Sequence, residues 1–183
     1  MNAKVAIVGS GPSGCYVAQA LVKALPNAEL TVIDRLCVPF GLIRYGVAPD
    51  HQGTKAVSRQ FARLFEKQGV AFVGNVELGR DLSLEALRDA MDVVVLATGL
   101  YGDRTFEVPG KDLSGIYGSG AVTRYWNGHP DSEGMKPEFG KRVVILGNGN
   151  VAIDVLRLLA KSPVEFDGSD IEPEFVDDGV ETI

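Results

Sequence analysis

Residues 4–34 read KVAIVGSGPSGCYVAQALVKALPNAELTVID, and this stretch decides the fold. Val5, Ala6, Ile7 and Val8 form a short apolar run, the mark of a strand buried on both faces. Gly9-Ser10-Gly11-Pro12-Ser13-Gly14 follows as a G-x-G-x-x-G loop. Each glycine answers a separate steric demand. Gly9 permits the tight turn off the strand, Gly11 brings no Cβ to obstruct a pyrophosphate, and Gly14 lets the next helix lie close to the sheet. That helix is predicted from about Gly14 to Leu25, with its free N–H groups and dipole turned toward an anion at the loop. Leu30 to Ile33 is the second strand. Asp34 ends it twenty residues beyond Gly14, where a carboxylate accepts hydrogen bonds from an adenosine ribose. A glycine triplet alone says little; between strand and helix, with an acid at this distance, it specifies a dinucleotide-binding βαβ unit.

The same pattern returns late in the chain. Val143 to Leu146 reads as an apolar strand, Gly147-Asn148-Gly149-Asn150-Val151-Ala152 as a G-x-G-x-x-A loop, and Ala152 to Leu159 as a helix. Two such loops predict two bound dinucleotides, one per domain, meeting where redox groups can face each other. The fold class is therefore α/β, a Rossmann-like first domain followed by the start of a second. The boundaries are drawn at residues 1–105, 106–140 for a connector rich in Gly and Pro, and 141–183.

Between the two loops, Pro39-Phe40-Gly41-Leu42-Ile43-Arg44-Tyr45-Gly46-Val47-Ala48-Pro49-Asp50-His51 reads as an irregular loop, too apolar to be merely solvated. Val57, Phe61, Leu64 and Phe65 give one apolar face to a helix over about Gly53 to Gln68. On that helix Lys55, Arg59, Arg63 and Lys67 recur every fourth residue, either as a solvated face or as a docking edge for an acidic partner. Val70 to Val73 is a third strand, and Ser83 is a suitable N-cap for the short helix after it. Asp92 to Ala97 reads as a fully buried strand ending in Thr98-Gly99 at the carboxyl edge of the sheet, where ligands bind in open α/β folds. His129, before a proline in the connector, reads as a surface or turn histidine.

The net charge of −6 comes from one end. Of 24 acidic residues, eight lie between Val164 and Ile183, a segment without Lys or Arg, and the remainder is slightly basic. No dense basic cluster points to nucleic acid. Cys15 and Cys37 are the two cysteines and form no C-x-x-C pair, so neither a disulfide framework nor a metal site is expected. Cys15, at a helix N-terminus, is read as a packed hydrophobe rather than an activated thiol. The N-terminus, broken by Gly, Pro and Gln, is read as neither a signal peptide nor a membrane span, so a reduced, cytoplasmic protein is expected.

Val5 to Gly14, Pro39 to His51, Ala97-Thr98-Gly99 and Gly147 to Asp154 together resemble the adrenodoxin-reductase-like ferredoxin–NADP⁺ reductases, from the first strand to about Ala160. The Pro39–His51 segment is the most specific part. The resemblance implies FAD in the first domain, NADPH in a second inserted into it, and a ferredoxin-type iron–sulfur protein as electron acceptor. It implies that Gly9, Gly11, Ser13 and Gly14 meet the FAD pyrophosphate and that Asp34 holds the ribose. Leu42 and Leu78 then line the flavin site, and Asn148, Gly149, Asn150 and Val151 carry the NADP pyrophosphate. Arg104 is a basic NADP contact, and His51 is the histidine near the flavin that helps to position partners, taken as the catalytic residue, the other reading being a loop histidine bonded to backbone.

Two departures stand out. The family usually has Glu where this chain has Asp34, and its members are more than twice this length. The chain is therefore expected to be the front portion of a reductase, inactive alone, with apolar edges of both domains exposed and either aggregation or partner-dependent folding as the result. Other readings are a different flavoenzyme with two dinucleotide loops, such as an amidotransferase-type reductase subunit, and a non-catalytic nucleotide-binding module.

Overall fold

The apolar run after the N-terminus forms β1 (Lys4–Val8), and the glycine loop leads from it into α1 (Pro12–Ala24) and then β2 (Glu29–Ile33). This is a computed structural model that describes residues 2–104, 107–171, 175–176 and 179–183. The chain divides into two units, Met1–Arg44 with Gly53–Leu100, and Tyr45–Gln52 with Tyr101–Ile183.

Next along the chain come α2 (Leu42–Tyr45) and α3 (Gln52–Lys55), at whose facing ends the chain passes to the second unit and back, and then, within the first unit, α4 (Val57–Lys67), β3 (Ala71–Val73), α5 (Leu84–Ala90) and β4 (Val93–Leu96). The strands make one parallel sheet in the order β3-β2-β1-β4. This is the expected Rossmann-like α/β arrangement. Period-two alternation in β1 feeds both faces. Val5 and Ile7 pack with Cys15 and Ala18 of α1 and Phe61 and Leu64 of α4, while Ala6 and Val8 pack with Ile33 and Leu87 on the other side. The register Val8↔Ile33 brings the ends of β1 and β2 level, which sets Gly9 beside Asp34; the Gly9 amide donates to the Ile33 carbonyl at 2.7 Å.

Three expectations need correction here. β4 is not buried on both faces: it pairs with β1 on one side among the described residues, and Val93 and Leu96 are exposed. The helix expected over 53–68 is broken at Ala56. The Ser58 hydroxyl donates to the Lys55 carbonyl at 2.7 Å, and the Arg59 amide turns instead to the Ala56 carbonyl at 3.0 Å. Lys55 also leaves the basic row, because its side chain is buried and its Nζ donates to the Arg44 carbonyl at 3.0 Å. Arg59, Arg63 and Lys67 remain exposed on α4.

The second unit is built around α6 (Ser119–Trp126) and α7 (Asn150–Leu159). Val122, Tyr125 and Trp126 of α6 pack with Val155, Leu158 and Leu159 of α7, and Ala48, Phe166 and Ile171 complete the cluster. The stretch read as a connector thus contributes a core helix. Its N-terminus is capped by the Asp103 carboxylate, which accepts from the amides of Gly120 and Ala121, each at 2.9 Å. Gly118 makes room for this cap, since a Cβ there would stand 2.3 Å from an Asp103 oxygen. His129 lies at a turn, as expected, but it is buried: its Nδ1 accepts from the Asp131 amide at 3.0 Å and its ring lies 4.6 Å from that of Tyr45.

The strand expected over Val143 to Leu146 does not form. One bridge, Arg142↔Thr182, is made there, with the Val143 amide on the Thr182 carbonyl at 2.9 Å. Val143 and Ile145 pack on the core, whereas Val144 and Leu146 are 83% and 75% exposed. Beyond that bridge the run joins no ladder among the described residues. Of the acidic residues near the C-terminal end, Glu172, Glu174, Asp177 and Asp178 fall outside the described residues. No described helix is long and apolar enough to cross a membrane.

Candidate functional site

At the first loop, Gly9 has φ +106°, and a Cβ there would be 2.2 Å from the Ala97 carbonyl oxygen. Gly14 is packed so tightly that a Cβ would stand 1.9 Å from the Gly9 oxygen. These two glycines are demanded by the protein itself. Gly11 is not. It has φ −67° and ψ −177°, open to any residue, and an added Cβ meets nothing within 4 Å. It stands at the N-cap of α1 without a side-chain cap, so the first amides of a thirteen-residue helix lie open to a ligand, with Ser13 exposed in the first turn. A cradle of backbone donors, kept clear by an otherwise unexplained glycine, fits a diphosphate.

Asp34 closes the far side of this loop. Its Oδ2 accepts from the Ser10 amide at 2.7 Å and the Ser10 hydroxyl at 2.5 Å, and Oδ1 accepts from the Leu36 amide at 2.9 Å. A carboxylate oxygen has two lone pairs, so Oδ1 keeps one to offer. Under the same helix, burial and then the negative charge of Asp34 push the Cys15 thiol up to about 12, and its Sγ donates to the Ser10 carbonyl. This cysteine is inert packing. Of the residues expected at a flavin site, Leu42 is exposed at the start of α2, and Leu78 packs against the Ala6, Val8, Ile33 and Leu87 cluster.

At the second loop Gly147 has φ +131°, and Asn148, Gly149, Asn150 and Val151 are all exposed at the start of α7, whose N-cap Gly149 has no side-chain cap. A Cβ on Gly149 likewise meets nothing within 4 Å, so this cradle fits a diphosphate on the same grounds. Arg104 is exposed.

A set of charges that sequence reading missed gathers around Asp154 and Arg157 of α7. Asp50 is 10% exposed at its side chain and ion-paired with Arg157 through both carboxylate oxygens, and with Lys161. Burial alone would raise its pKa, but the hydrogen bonds and charges of Arg157 and Lys161 outweigh that and hold the carboxyl well below the usual range. Arg157 also bonds Asp154 at 3.1 Å and touches His51 Nε2 at 3.0 Å. The helical spacing of Asp154, Arg157 and Lys161 was visible in the sequence; their partner Asp50, more than a hundred residues earlier, was not.

The family model for pyridine nucleotide-disulphide oxidoreductases matches residues 3–167. The chain belongs to this family. Within it, the cindoxin reductase of Citrobacter braakii is 54% identical over 173 residues, 94% of this chain and 38% of that protein. The mitochondrial NADPH:adrenodoxin oxidoreductase of Arabidopsis thaliana is 48% identical over 169 residues, 91% of this chain and 35% of its own length. Among solved structures, the Mycobacterium tuberculosis oxidoreductase FprA superposes with a TM-score of 0.93 at 35% identity, covering 99% of this chain and 41% of FprA. FprA has also been solved in complex with NADPH. The resemblance read from the sequence holds, and the chain spans somewhat over a third of the length of these relatives. Both of its own cysteines are free thiols.

Proposed function

We propose that this sequence is the dinucleotide-binding portion of a flavoprotein oxidoreductase that passes electrons from NADPH through FAD to a ferredoxin-type iron–sulfur protein. The observation that carries the reading is Gly11: nothing in the protein requires glycine there, whereas a diphosphate seated on the first turn of α1 does. The names of the cindoxin and adrenodoxin reductases support the direction of electron flow.

On this reading Gly9, Gly11, Ser13 and Gly14 hold the FAD pyrophosphate, Asp34 takes the adenosine ribose through Oδ1, and Leu42 and Leu78 border the flavin. Asn148, Gly149, Asn150 and Val151 turn their amides to the NADP pyrophosphate, and Arg104 is a cation for NADP. His51 serves the redox site as a hydrogen-bonding side chain. Bound FAD supplies hydride acceptance from a nicotinamide and the release of single electrons. The protein's share is orientation, exclusion of water and charge neutralisation, so no nucleophile is called for.

The test is flavin retention. The chain, mixed with FAD and freed of excess ligand, is expected to stay yellow, and Gly11→Val is expected to lose the colour while keeping its circular dichroism. Bleaching by NADPH then reports the second cradle. Equal FAD retention by wild type and Gly11→Val would overturn the reading. A colourless protein that still binds adenine nucleotides would leave a nucleotide-binding module in its place.

A further inference from the structure

Nη2 of Arg157 stands within reach of two carboxylate oxygens and one imidazole nitrogen: Asp50 Oδ1 at 2.9 Å, Asp154 Oδ1 at 3.1 Å and His51 Nε2 at 3.0 Å. It has two hydrogens to share among them, and no lone pair. Its contact with His51 is therefore a hydrogen bond only when Nε2 is the bare nitrogen of the imidazole. The other tautomer would set one N–H against another at 3.0 Å. The carboxylate that would relieve this clash, Asp154 Oδ1, lies 3.6 Å from Nε2, beyond hydrogen-bond length, and is already bonded to Arg157.

Arg157 is itself held firmly. Its two terminal nitrogens grip both oxygens of Asp50, which also takes Lys161. The charged groups around the ring are thus Asp50, Asp154, Arg157 and Lys161, two of each sign, and they balance among themselves. A bidentate guanidinium–carboxylate pair is the stiffest arrangement these side chains can make.

We propose that Arg157, anchored by Asp50, is the positioning residue that fixes the tautomer of His51, with the proton on Nδ1 and Nε2 bare. The functional weight of this inference rests on the reading of His51 as a redox-site residue. It makes Nδ1–H the donor that His51 has to give a bound group, and it withholds Nε2 from proton donation while Arg157 is in place.

The experiment uses the cofactor-free 183-residue chain, labelled with nitrogen-15. Long-range proton–nitrogen correlation spectra at a pH well above the usual histidine range distinguish the two tautomers of a neutral imidazole. The chain has two histidines, and the set of signals that vanishes in His51→Gln belongs to His51. Wild-type His51 is expected in the Nδ1–H form. Arg157→Met is expected to move the tautomer ratio roughly tenfold or more toward the Nε2–H form that free histidine favours, as a lost bond to a charged donor implies. Asp154→Asn is expected to leave the Nδ1–H form in place. A wild-type proton on Nε2 would overturn the proposal, and this arm stands even if Arg157→Met does not fold. Conversion in Asp154→Asn but not in Arg157→Met would overturn it too, passing the role to Asp154. Since no flavin is present, failure here leaves the cradle reading untouched, and failure to bind FAD leaves this measurement intact.

Discussion

Ser10 gives Asp34 two hydrogen bonds to one oxygen, from its amide at 2.7 Å and from its hydroxyl at 2.5 Å. The acid expected to hold a ribose therefore also braces the glycine loop before any ligand arrives. Ser10→Ala, which removes one charge-assisted bond at a buried site, is expected to lower the unfolding free energy by about 1.5 kcal/mol. Asp34→Ala, which removes all three bonds, is expected to cost about 3 kcal/mol. Urea denaturation of the ligand-free chain measures both. Loss of FAD in Asp34→Ala thus mixes two causes, and Ser10→Ala separates them because it removes bracing without the ribose acceptor.

Gly11 and Gly14 share a loop but should respond in opposite ways. Gly11→Ala places its Cβ in open space and is expected to change stability by less than about 0.5 kcal/mol while weakening dinucleotide binding. Gly14→Ala drives a Cβ against the Gly9 carbonyl and is expected to destabilise the chain by about 3 kcal/mol or more. Thermal melts with and without FAD separate the two outcomes.

Asp50 links pH to stability. Its folded pKa is depressed, so its contribution is fully present above its unfolded value, near 4, and is lost as pH falls through the folded one. Asp50→Asn removes the carboxylate shared by Arg157 and Lys161, leaving Arg157 with Asp154, and is expected to cost about 2–4 kcal/mol at neutral pH. The gap between wild type and variant should narrow as the solution is acidified below pH 4 or so, followed by denaturant titration at several pH values.

The two thiols should differ sharply. Cys15 is buried and its thiol is pushed up to about 12, while Cys37 is exposed. A thiol reagent at mildly alkaline pH is expected to modify one cysteine in the folded chain and both in denaturant. Rapid modification of Cys15 without unfolding would contradict the burial described here.

What the sequence disclosed was local. β1, the glycine loop, α1 and β2 were readable because turn chemistry and periodicity act over a few residues, and the Ser83 cap was readable for the same reason; its hydroxyl accepts from the Ala86 amide at 3.0 Å. α6 was missed although Val122, Tyr125 and Trp126 carry a helical i, i+3, i+4 pattern, because the surrounding Gly and Pro residues outweighed it. The misjudged burial of two apolar runs had one cause. Val93 to Leu96 and Val143 to Leu146 are apolar runs, and composition says that a strand wants cover on both faces without saying whether a neighbour supplies it. Lys55 departed from its basic row through a backbone acceptor, the Arg44 carbonyl, which no charge pattern reveals. The site divides in the same way. Gly9 and Gly14 announced the tight turn and close packing of their loop, whereas the Asp50–Arg157 pair depends on tertiary folding across 107 positions.

The excursion of Tyr45–Gln52 into the second unit, before the chain returns to finish the first, has a consequence for manufacture and inheritance. Neither unit is a contiguous stretch of gene. A recombination event or an expression boundary placed at Leu100 would strand Ala48 and Asp50 on the wrong side, depriving one half of a core residue and of the carboxylate that pairs with both Arg157 and Lys161. During synthesis the ribosome releases that octapeptide long before its destination exists, so Ala48 and Asp50 must wait for α7 to emerge.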